Sequence, residues 1–388
     1  MSTSIPYGRQ SIDESDIAAV TRVLHSDWLT QGPAIPAFEA ALAARCEAKY
    51  AVAVSNATSA LHIACTAAGL GPGDLLWTTP NTFVASANCA RYCGADVDFV
   101  DIDRNTWCLD ANALERKLVE AERSGRLPKV VIPVAFAGRS ADMHAIKRLA
   151  DRFDFLVIED ASHAVGARYC GRPVGCGDHA HMTVFSFHPV KIVTTGEGGA
   201  VLTNDATLHE RLRSLRSHGI TRDVSRMESE SDGPWYYEMT ELGYNYRMTD
   251  LQAALGLSQL DRLDTFLSRR RALAARYAVL LEGLPLVLPE YDVLDESAWH
   301  LYVVRLKLDA IRFTHRDVFE RMRQAGIGVN LHYIPVHLQP YYRRLGFRPG
   351  QFPESEQYYR EAISLPMYAA LSDDAQARVA DTLKAALR

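Results

Sequence analysis

Short apolar runs alternate with longer stretches of helical apolar spacing between residues 50 and 215. Apolar runs of about four to eight residues are typical of buried strands, and apolar residues three or four apart are typical of helices. The pattern predicts strands at 51–54, 75–79, 96–100, 130–134 and 155–158, and helices at 58–68, 83–92, 111–124 and 141–153. Strands and helices that alternate in this way indicate an α/β fold with a mainly parallel sheet covered on both faces.

The alternation stops in the middle of the chain. Two strands at 183–187 and 199–203 are predicted close together, joined by a glycine-rich loop. A long helix is predicted at 249–281. Residues 286–296 contain proline and have little periodicity, so we interpret them as a linker.

The last part of the chain has mixed periodicity. It predicts a strand at 300–308, a helix begun by Thr314 with Asp317 three residues on, a strand at 327–332 and a helix capped by Ser372. We therefore expect a large domain over residues 1–285 and a smaller α+β domain over residues 286–388.

Composition and charge exclude several classes of protein. The chain has 388 residues, 48% apolar and 23% charged, and its 42 basic and 47 acidic residues give a net charge of −5. We therefore expect neither nucleic acid nor a membrane as a partner, because no basic stripe and no apolar run of about 20 residues stands out. The seven cysteines have no metal-like spacing. They are typical of reduced thiols in a cytoplasmic protein, and we expect no metal site.

An acidic residue, Asp160, follows the strand predicted at 155–158. Ligands of parallel sheets bind beyond the carboxyl ends of the strands, so this position presents a charge to a ligand. It equally suits an aspartate that caps the next helix. On this segment alone the two interpretations have equal weight.

A lysine, Lys191, lies in the apolar segment FSFHPVK, thirty-one residues after Asp160. A lysine shielded from water loses its proton more easily and can attack a carbonyl as the free amine. Most lysines instead keep the charged end in water or in an ion pair. The glycine-rich TTGEGG segment that follows allows close backbone approach and favours the catalytic interpretation.

Small hydroxyl residues separate the first predicted strand from its helix, in the segment SNATSALH at 55–62. The free N–H groups at the start of such a helix hold anions, although an ordinary helix cap has the same appearance. Ser186 would add a hydroxyl to the same anion. A polar, aromatic turn, GYNYRMTD at 243–250, precedes the long helix and alone could be a capped helix start.

Together these segments describe a site for pyridoxal 5′-phosphate: a phosphate cradle, an acid for a ring nitrogen, an aromatic residue and a lysine. The order of the motifs also resembles the DegT/DnrJ/StrS family of nucleotide-sugar aminotransferases. SNATSALH, TFVASAN, IEDASHA, FSFHPVK, TTGEGG and GYNYRMTD follow that family's pattern in sequence order. The resemblance implies the aspartate-aminotransferase fold (fold type I) and a homodimer with shared active sites.

The resemblance also implies roles for the two residues singled out above. Lys191 would carry the cofactor and move the proton, and Asp160 would keep the pyridine nitrogen protonated. Both would be catalytic residues.

The other cofactor contacts come only from the resemblance. Phe83 would stack on the ring, and Asn245 would reach the phosphate from the neighbouring subunit. His163 stands where many members have a glutamine near the ring hydroxyl. The phosphate cradle would consist of Ala57, Thr58 and Ser186.

Several stretches, among them SDWLTQGP and NLHYIPVHLQPYY, resemble one branch of the family. That branch aminates a UDP-linked 4-keto-6-deoxy-N-acetylhexosamine in pseudaminic acid biosynthesis, with glutamate as donor. Alternative interpretations of its substrate residues are a packed tryptophan and a histidine satisfied within the core. By this resemblance the sugar nucleotide would lie near Trp28, Thr30 and Gln31 of an N-terminal substrate-loop segment (1–45), and near Arg247, His332 and Tyr333.

Specific residues distinguish this function from several others. The same scaffold would serve a different nucleotide-linked keto-sugar, such as a perosamine-type or 4-amino-arabinose-type substrate. A cofactor-dependent sugar dehydratase would have histidine in place of Lys191, and a non-catalytic regulatory protein would be expected to lose part of the site. A nicotinamide dehydrogenase would depend on Gly69, Gly71 and Gly73, which follow a helix and precede a strand, the reverse of the dinucleotide order.

Overall fold

The alternation of strands and helices predicted between residues 50 and 215 is present in a computed structural model, which describes residues 4–290 and 296–388. The strands are β1 (Tyr50–Val54), β2 (Leu75–Thr78), β3 (Asp96–Phe99), β4 (Val130–Ile132), β5 (Leu156–Asp160), β6 (Arg168–Tyr169), β7 (Arg172–Pro173), β8 (Met182–Ser186), β9 (Gly199–Thr203), β10 (Ile220–Thr221), β11 (Glu238–Met239), β12 (Leu286–Val287), β13 (Tyr302–Leu306) and β14 (Ala362–Leu365).

The helices include five that the sequence did not predict: two before the first strand, one after β9, and two at 340–344 and 353–361. They are α1 (Glu14–Leu24), α2 (Ala34–Arg45), α3 (Ala57–Ala67), α4 (Ala85–Tyr92), α5 (Ala111–Ser124), α6 (Met143–Phe153), α7 (Ala206–Arg216), α8 (Asp250–Asp261), α9 (Leu263–Leu280), α10 (His315–Gln324), α11 (Pro340–Arg344), α12 (Pro353–Glu361) and α13 (Asp373–Ala386).

Seven strands form the central sheet in the order β1-β9-β8-β5-β4-β2-β3. Strand β9 runs antiparallel to both of its neighbours, and the remaining pairs are parallel. The predicted α/β fold with a mainly parallel sheet is therefore confirmed. The carboxyl ends of β5 and β8 lie side by side, which brings Asp160 and Ser186 to the same edge of the sheet.

Both faces of the sheet are covered, as the continuous apolar runs predict. Alternate residues of β1 show the two layers: Val52 and Val54 pack with α3 in one apolar cluster, whereas Ala51 and Ala53 pack with α2 in another. All four side chains are buried. The edge of the sheet is therefore left as the place where a ligand meets the strands.

Three predictions of secondary structure are wrong. The long helix at 249–281 is two helices, because Arg262 leaves the helical conformation with ψ near 3° while the apolar spacing continues unbroken. The strand at 327–332 is absent, and Ile327 and Asn330 form only single bridges, to Ile5 and Ser364. The linker at 286–296 begins with β12, a strand of the second sheet, and residues 291–295 of it lie outside the described residues.

A second, antiparallel sheet forms from β12, β13 and β14, with α10 and α13 on it. Leu273 and Tyr277 from the later part of α9 are buried in the same apolar cluster. The division into domains of residues 1–285 and 286–388 stays a prediction. Residues 298–301 and 330–333 extend from this region to the edge of the central sheet.

None of the helices in the described part of the chain combines the length and the apolar character that crossing a membrane requires.

Candidate active site

A cleft of about 1060 Å³ opens at the carboxyl edge of the central sheet. It lies where parallel α/β sheets bind their ligands. Asp160 at the end of β5, Ser186 at the end of β8 and the start of α3 line its floor, together with Lys191 from the loop between β8 and β9. The fold therefore brings four separate parts of the sequence to one place.

Nine of the site residues predicted from the sequence line this cleft. They are Ala57, Thr58, Phe83, Asp160, His163, Ser186, Lys191, His332 and Tyr333. Phe83 is 58% exposed, an unusual position for a large apolar side chain and one that suits contact with a planar ligand.

Five other predicted residues do not line the cleft of the single chain. Trp28 is 55% exposed, Thr30 pairs with Thr249, and Gln31 is also exposed. Asn245 and Arg247 lie on the segment before α8. Their roles stay predictions.

The first turn of α3 forms a cradle for an anion. The Asn56 side chain caps the helix by accepting the Ser59 N–H at 2.8 Å. The N–H groups of Ala57 and Thr58 precede the first intrahelical bond, and both residues face the cleft. Strand β9 packs directly against this turn because Gly199 has no side chain: a Cβ there would lie 2.6 Å from the Ala57 nitrogen.

We expect Gly199→Ala to weaken binding of pyridoxal phosphate by more than about tenfold, since the added methyl group displaces the Ala57 N–H from the cradle. The dissociation constant of the cofactor measures this directly. Gly71→Ala is the matched control, because no atom lies within 4 Å of the added Cβ. Equal affinities in the two variants would show that the start of α3 does not hold the phosphate.

Lys191 is a partly shielded lysine whose charge is unfavourable. Burial lowers its pKa to about 8, and the nearby negative charge of Asp160 offsets only part of that effect. At pH 7 such an amine is about one-tenth unprotonated, whereas an exposed lysine has almost no free amine. Lys191 can therefore act as a nucleophile or base near neutral pH.

Asp160 is 5% exposed and is held by hydroxyl groups on both carboxylate oxygens. Ser86 Oγ donates to Oδ2 at 2.6 Å, and Ser162 donates to Oδ1 through its Oγ (2.6 Å) and its N–H (3.1 Å). Thr82 Oγ1 lies 2.8 Å from Ser86 Oγ. Because the Ser86 proton is directed to the carboxylate, Thr82 is the donor in that pair. The side chains thus form one hydrogen-bonded network with defined directions, made of Thr82, Ser86, Asp160 and Ser162.

We expect Ser86→Ala to lower kcat by about tenfold, because Asp160 loses one charge-assisted hydrogen bond and its fixed orientation. Steady-state kinetics measure the loss. Ser355→Ala is a matched control, since Ser355 is also buried and its hydroxyl donates to Asp101 Oδ1 at 2.7 Å outside the cleft. Both changes should lower the melting temperature, and an equal loss of kcat in both would contradict a role for Ser86 at Asp160.

Three histidines, His163, His300 and His332, line the cleft together with Lys191. Burial lowers the pKa of each, and the Lys191 charge lowers it further; for His332 the pKa falls to about 3. The rings are therefore neutral near pH 7. His163 Nε2 lies 3.1 Å from the Tyr333 hydroxyl, and His332 Nδ1 lies 2.8 Å from Ser364 Oγ.

Sequence reasoning missed several residues of this cleft. Ser86 is buried behind the cleft and reaches it only through Asp160; it lies inside the motif TFVASAN, and its hydroxyl in the first turn of a helix after a strand was the available signal. Tyr7, Asn330 and His300 also line the cleft, but no pattern of apolar spacing marks them. Among the described residues, no group of three or more His, Cys, Asp or Glu side chains is arranged to hold a metal ion.

The family model of the DegT/DnrJ/EryC1/StrS aminotransferase family matches residues 10–384. The chain belongs to this family. It is 40% identical over 373 residues to the spore coat polysaccharide biosynthesis protein SpsC of Bacillus subtilis, covering 95% of this chain and 94% of that protein.

Solved structures agree with this membership. The Helicobacter pylori aminotransferase PseC, involved in the biosynthesis of pseudaminic acid, has a TM-score of 0.90 at 30% identity over 99% of both chains. The sugar aminotransferase Spr1654 of Streptococcus pneumoniae, in its PLP form, has a TM-score of 0.88 at 29% identity over 99% of this chain and 98% of that one. The present chain is thus a pyridoxal-phosphate-dependent sugar aminotransferase of fold type I. Three features fit that cofactor: the lowered pKa of Lys191, the buried carboxylate of Asp160, and the anion cradle that Gly199 borders.

Proposed function

We propose that this enzyme transfers the amino group of glutamate to C4 of a UDP-linked 4-keto-6-deoxy-N-acetylhexosamine. The product is UDP-4-amino-4,6-dideoxy-N-acetyl-β-L-altrosamine, a precursor of pseudaminic acid. Family membership carries the transfer of an amino group to a sugar. The likeness to PseC over nearly the whole of both chains supports the choice of this sugar.

In this proposal Lys191 holds the cofactor and then moves protons. Its lowered pKa supports both roles, because the free amine is accessible near neutral pH. Lys191 takes the α-proton of glutamate and later returns a proton to one face of C4 of the sugar. Its fixed place in the cleft gives it the advantage of a base held beside the reacting carbon.

The remaining residues of the cleft bind and orient the cofactor. The start of α3 and Ser186 hold the phosphate, Phe83 covers the ring, and Asp160 faces the ring nitrogen and keeps its proton in place. Pyridoxal phosphate, when bound, supplies the electron sink for the reacting carbon. Ser86 and Ser162 keep the Asp160 carboxylate in a single orientation.

The five predicted residues outside the cleft suit a second copy of the chain. In a homodimer, Asn245 would reach the phosphate of the partner's cofactor, and Arg247 and the segment with Trp28, Thr30 and Gln31 would complete the sugar site. Four of the five, all but the half-buried Arg247, are exposed in the single chain, which supports this arrangement. We also propose a cytoplasmic location, where glutamate and nucleotide sugars are both available.

Mass spectrometry of the reaction mixture tests the choice of sugar. Purified enzyme, glutamate and UDP-2-acetamido-2,6-dideoxy-β-L-arabino-hex-4-ulose are expected to give a 4-amino sugar whose formation requires both substrates. If the enzyme forms more than one equivalent of 2-oxoglutarate from glutamate only when a different keto-sugar is supplied, the family function stands and the proposed sugar is wrong.

A second candidate is another nucleotide-linked keto-sugar. The 40% identity to SpsC, a protein of spore coat polysaccharide biosynthesis, supports this second candidate. Equal concentrations of the proposed sugar and of a dTDP- or GDP-linked 4-keto-6-deoxyhexose in one reaction distinguish the two candidates. The sugar with the higher kcat/KM is consumed first.

A further inference from the structure

Both ring nitrogens of His163 are engaged by other residues. The Ala137 N–H donates to Nδ1 at 3.3 Å, and the Tyr333 hydroxyl lies 3.1 Å from Nε2. A backbone N–H can only donate, so Nδ1 is the unprotonated nitrogen. Burial and the Lys191 charge hold the pKa of His163 well below its ordinary value, and the neutral ring therefore carries its one proton on Nε2. His163 is the donor to Tyr333.

This direction leaves the Tyr333 proton available. Its oxygen accepts from His163, and within residues 4–290 and 296–388 no acceptor lies within hydrogen-bond distance of the hydroxyl proton. Burial and the Asp160 charge raise the pKa of Tyr333, so the hydroxyl keeps its proton. Tyr333 lines the same cleft as Lys191 and Asp160. Tyr333 is only partly buried and faces the cleft, so a ligand bound there is placed to accept this proton.

The backbone that fixes His163 is in an uncommon conformation. Ala137 has φ of 58°, in the left-handed region that alanine rarely adopts. The segment that contains Leu301 also holds Ala137 in place, since the Leu301 N–H donates to Ala137 O at 3.3 Å. A Cβ at Gly138 would lie 2.7 Å from the Trp299 nitrogen, so the two segments are in close contact. Such over-determined strain is typical of functional sites.

We propose that Tyr333, oriented by His163, donates a hydrogen bond to the phenolic oxygen of the cofactor ring, and that His163 itself does not touch the cofactor. His163 is then a positioning residue that acts through Tyr333. This differs from the contact with the ring hydroxyl that the position of His163 in the family pattern predicts. The inference rests on the proposed placement of the cofactor between Lys191 and Asp160.

The pH dependence of the absorbance of the bound cofactor tests this proposal, with holoenzyme and no sugar. A donor to the phenolic oxygen stabilises its negative charge, so its loss moves the midpoint of the absorbance change to higher pH. We expect Tyr333→Phe to raise the midpoint by about one unit, the size of one such hydrogen bond. His163→Ala should give a shift of similar direction, and His163→Gln, whose amide can accept from Ala137 and donate to Tyr333, should restore the wild-type midpoint.

The double variant decides how His163 acts. If His163 works only through Tyr333, then adding His163→Ala to Tyr333→Phe moves the midpoint no further. A further shift in the double variant, or an unchanged midpoint in Tyr333→Phe, would overturn the proposal.

Tyr277→Phe is the matched control, because it removes a buried hydroxyl that donates to Pro366 O at 2.9 Å, away from the cleft. Its midpoint should equal that of the wild type. If His163→Ala does not fold, the comparison of Tyr333→Phe with Tyr333→Phe/His163→Leu still separates the two roles. Leucine fills similar space but cannot hydrogen-bond, so the loss of a direct contact of residue 163 would move the midpoint further. The sugar takes no part in the experiment, so failure of the proposed sugar leaves its result unaffected.

Discussion

Replacing Lys191 with alanine is expected to abolish turnover, with a loss of more than about 10⁴-fold in kcat. Proton transfer by a positioned group alone contributes about 10²–10⁴-fold, and the variant also loses the covalent link to the cofactor. Steady-state kinetics with glutamate and a keto-sugar measure the loss. Lys117→Ala is the matched control, because burial also lowers the pKa of Lys117, which lies outside the cleft and pairs with Asp98 at 2.7 Å. Substantial turnover in Lys191→Ala would contradict the assignment.

The same variant should stabilise the cofactor-free protein. Burial lowers the pKa of Lys191 from 10.5 to about 8, so between these values the unfolded chain binds more protons than the folded one. The folded state is therefore penalised most below pH 8, by roughly 1–3 kcal/mol, and the penalty disappears as the pH rises past about 10.5. We expect Lys191→Ala without cofactor to have a higher free energy of unfolding at pH 7 than the wild type, and an equal one at pH 11.

Replacing Asp160 with asparagine is expected to lower kcat by about 10²–10³-fold. The neutral amide has nearly the shape of the carboxylate, but it lacks the negative charge that, in the proposed function, holds a proton on the ring nitrogen. The loss should appear already in the half-reaction with glutamate alone, because the ring accepts charge in that step. Stopped-flow absorbance of the bound cofactor measures it.

A control for Asp160 is available elsewhere in the chain. Asp101 accepts hydrogen bonds from Ser355 Oγ and from two backbone N–H groups, of Glu354 and Ser355, outside the cleft. Asp101→Asn should lower stability and leave the half-reaction close to the wild-type rate. If Asp160→Asn also stayed within about threefold of the wild type, Asp160 would not be the partner of the ring nitrogen.

Local signals explain which elements the sequence predicts well. The helix predicted at 111–124 is α5, Ala111–Ser124, because Asp110 caps its start and Gly125 adopts the left-handed conformation at its end. No local signal marks the break between α8 and α9, since Arg262 leaves the apolar spacing intact. The extended segment at 327–332 has the alternation of a strand, but too few neighbouring backbone groups pair with it.

For the active site too, the sequence predicts some residues and only the structure reveals the others. The apolar segment around Lys191 and the position of Asp160 after a strand indicate the chemistry from the sequence, and the fold confirms that both line one cleft. The partners of these groups depend on contacts between distant residues. Tyr333 and His163 are 170 residues apart, and Ser86 and Asp160 are 74 apart. No spacing rule connects such pairs, so only the folded chain reveals them.

Peptide mass spectrometry after borohydride reduction tests the central claim most directly. Reduction fixes the bond between pyridoxal phosphate and the lysine that carries it, and digestion then locates the modified residue. We predict the added mass on the peptide that contains Lys191, in the wild-type protein and in Lys117→Ala alike. Modification of another lysine, or none in a protein that aminates a sugar, would contradict the active site described above.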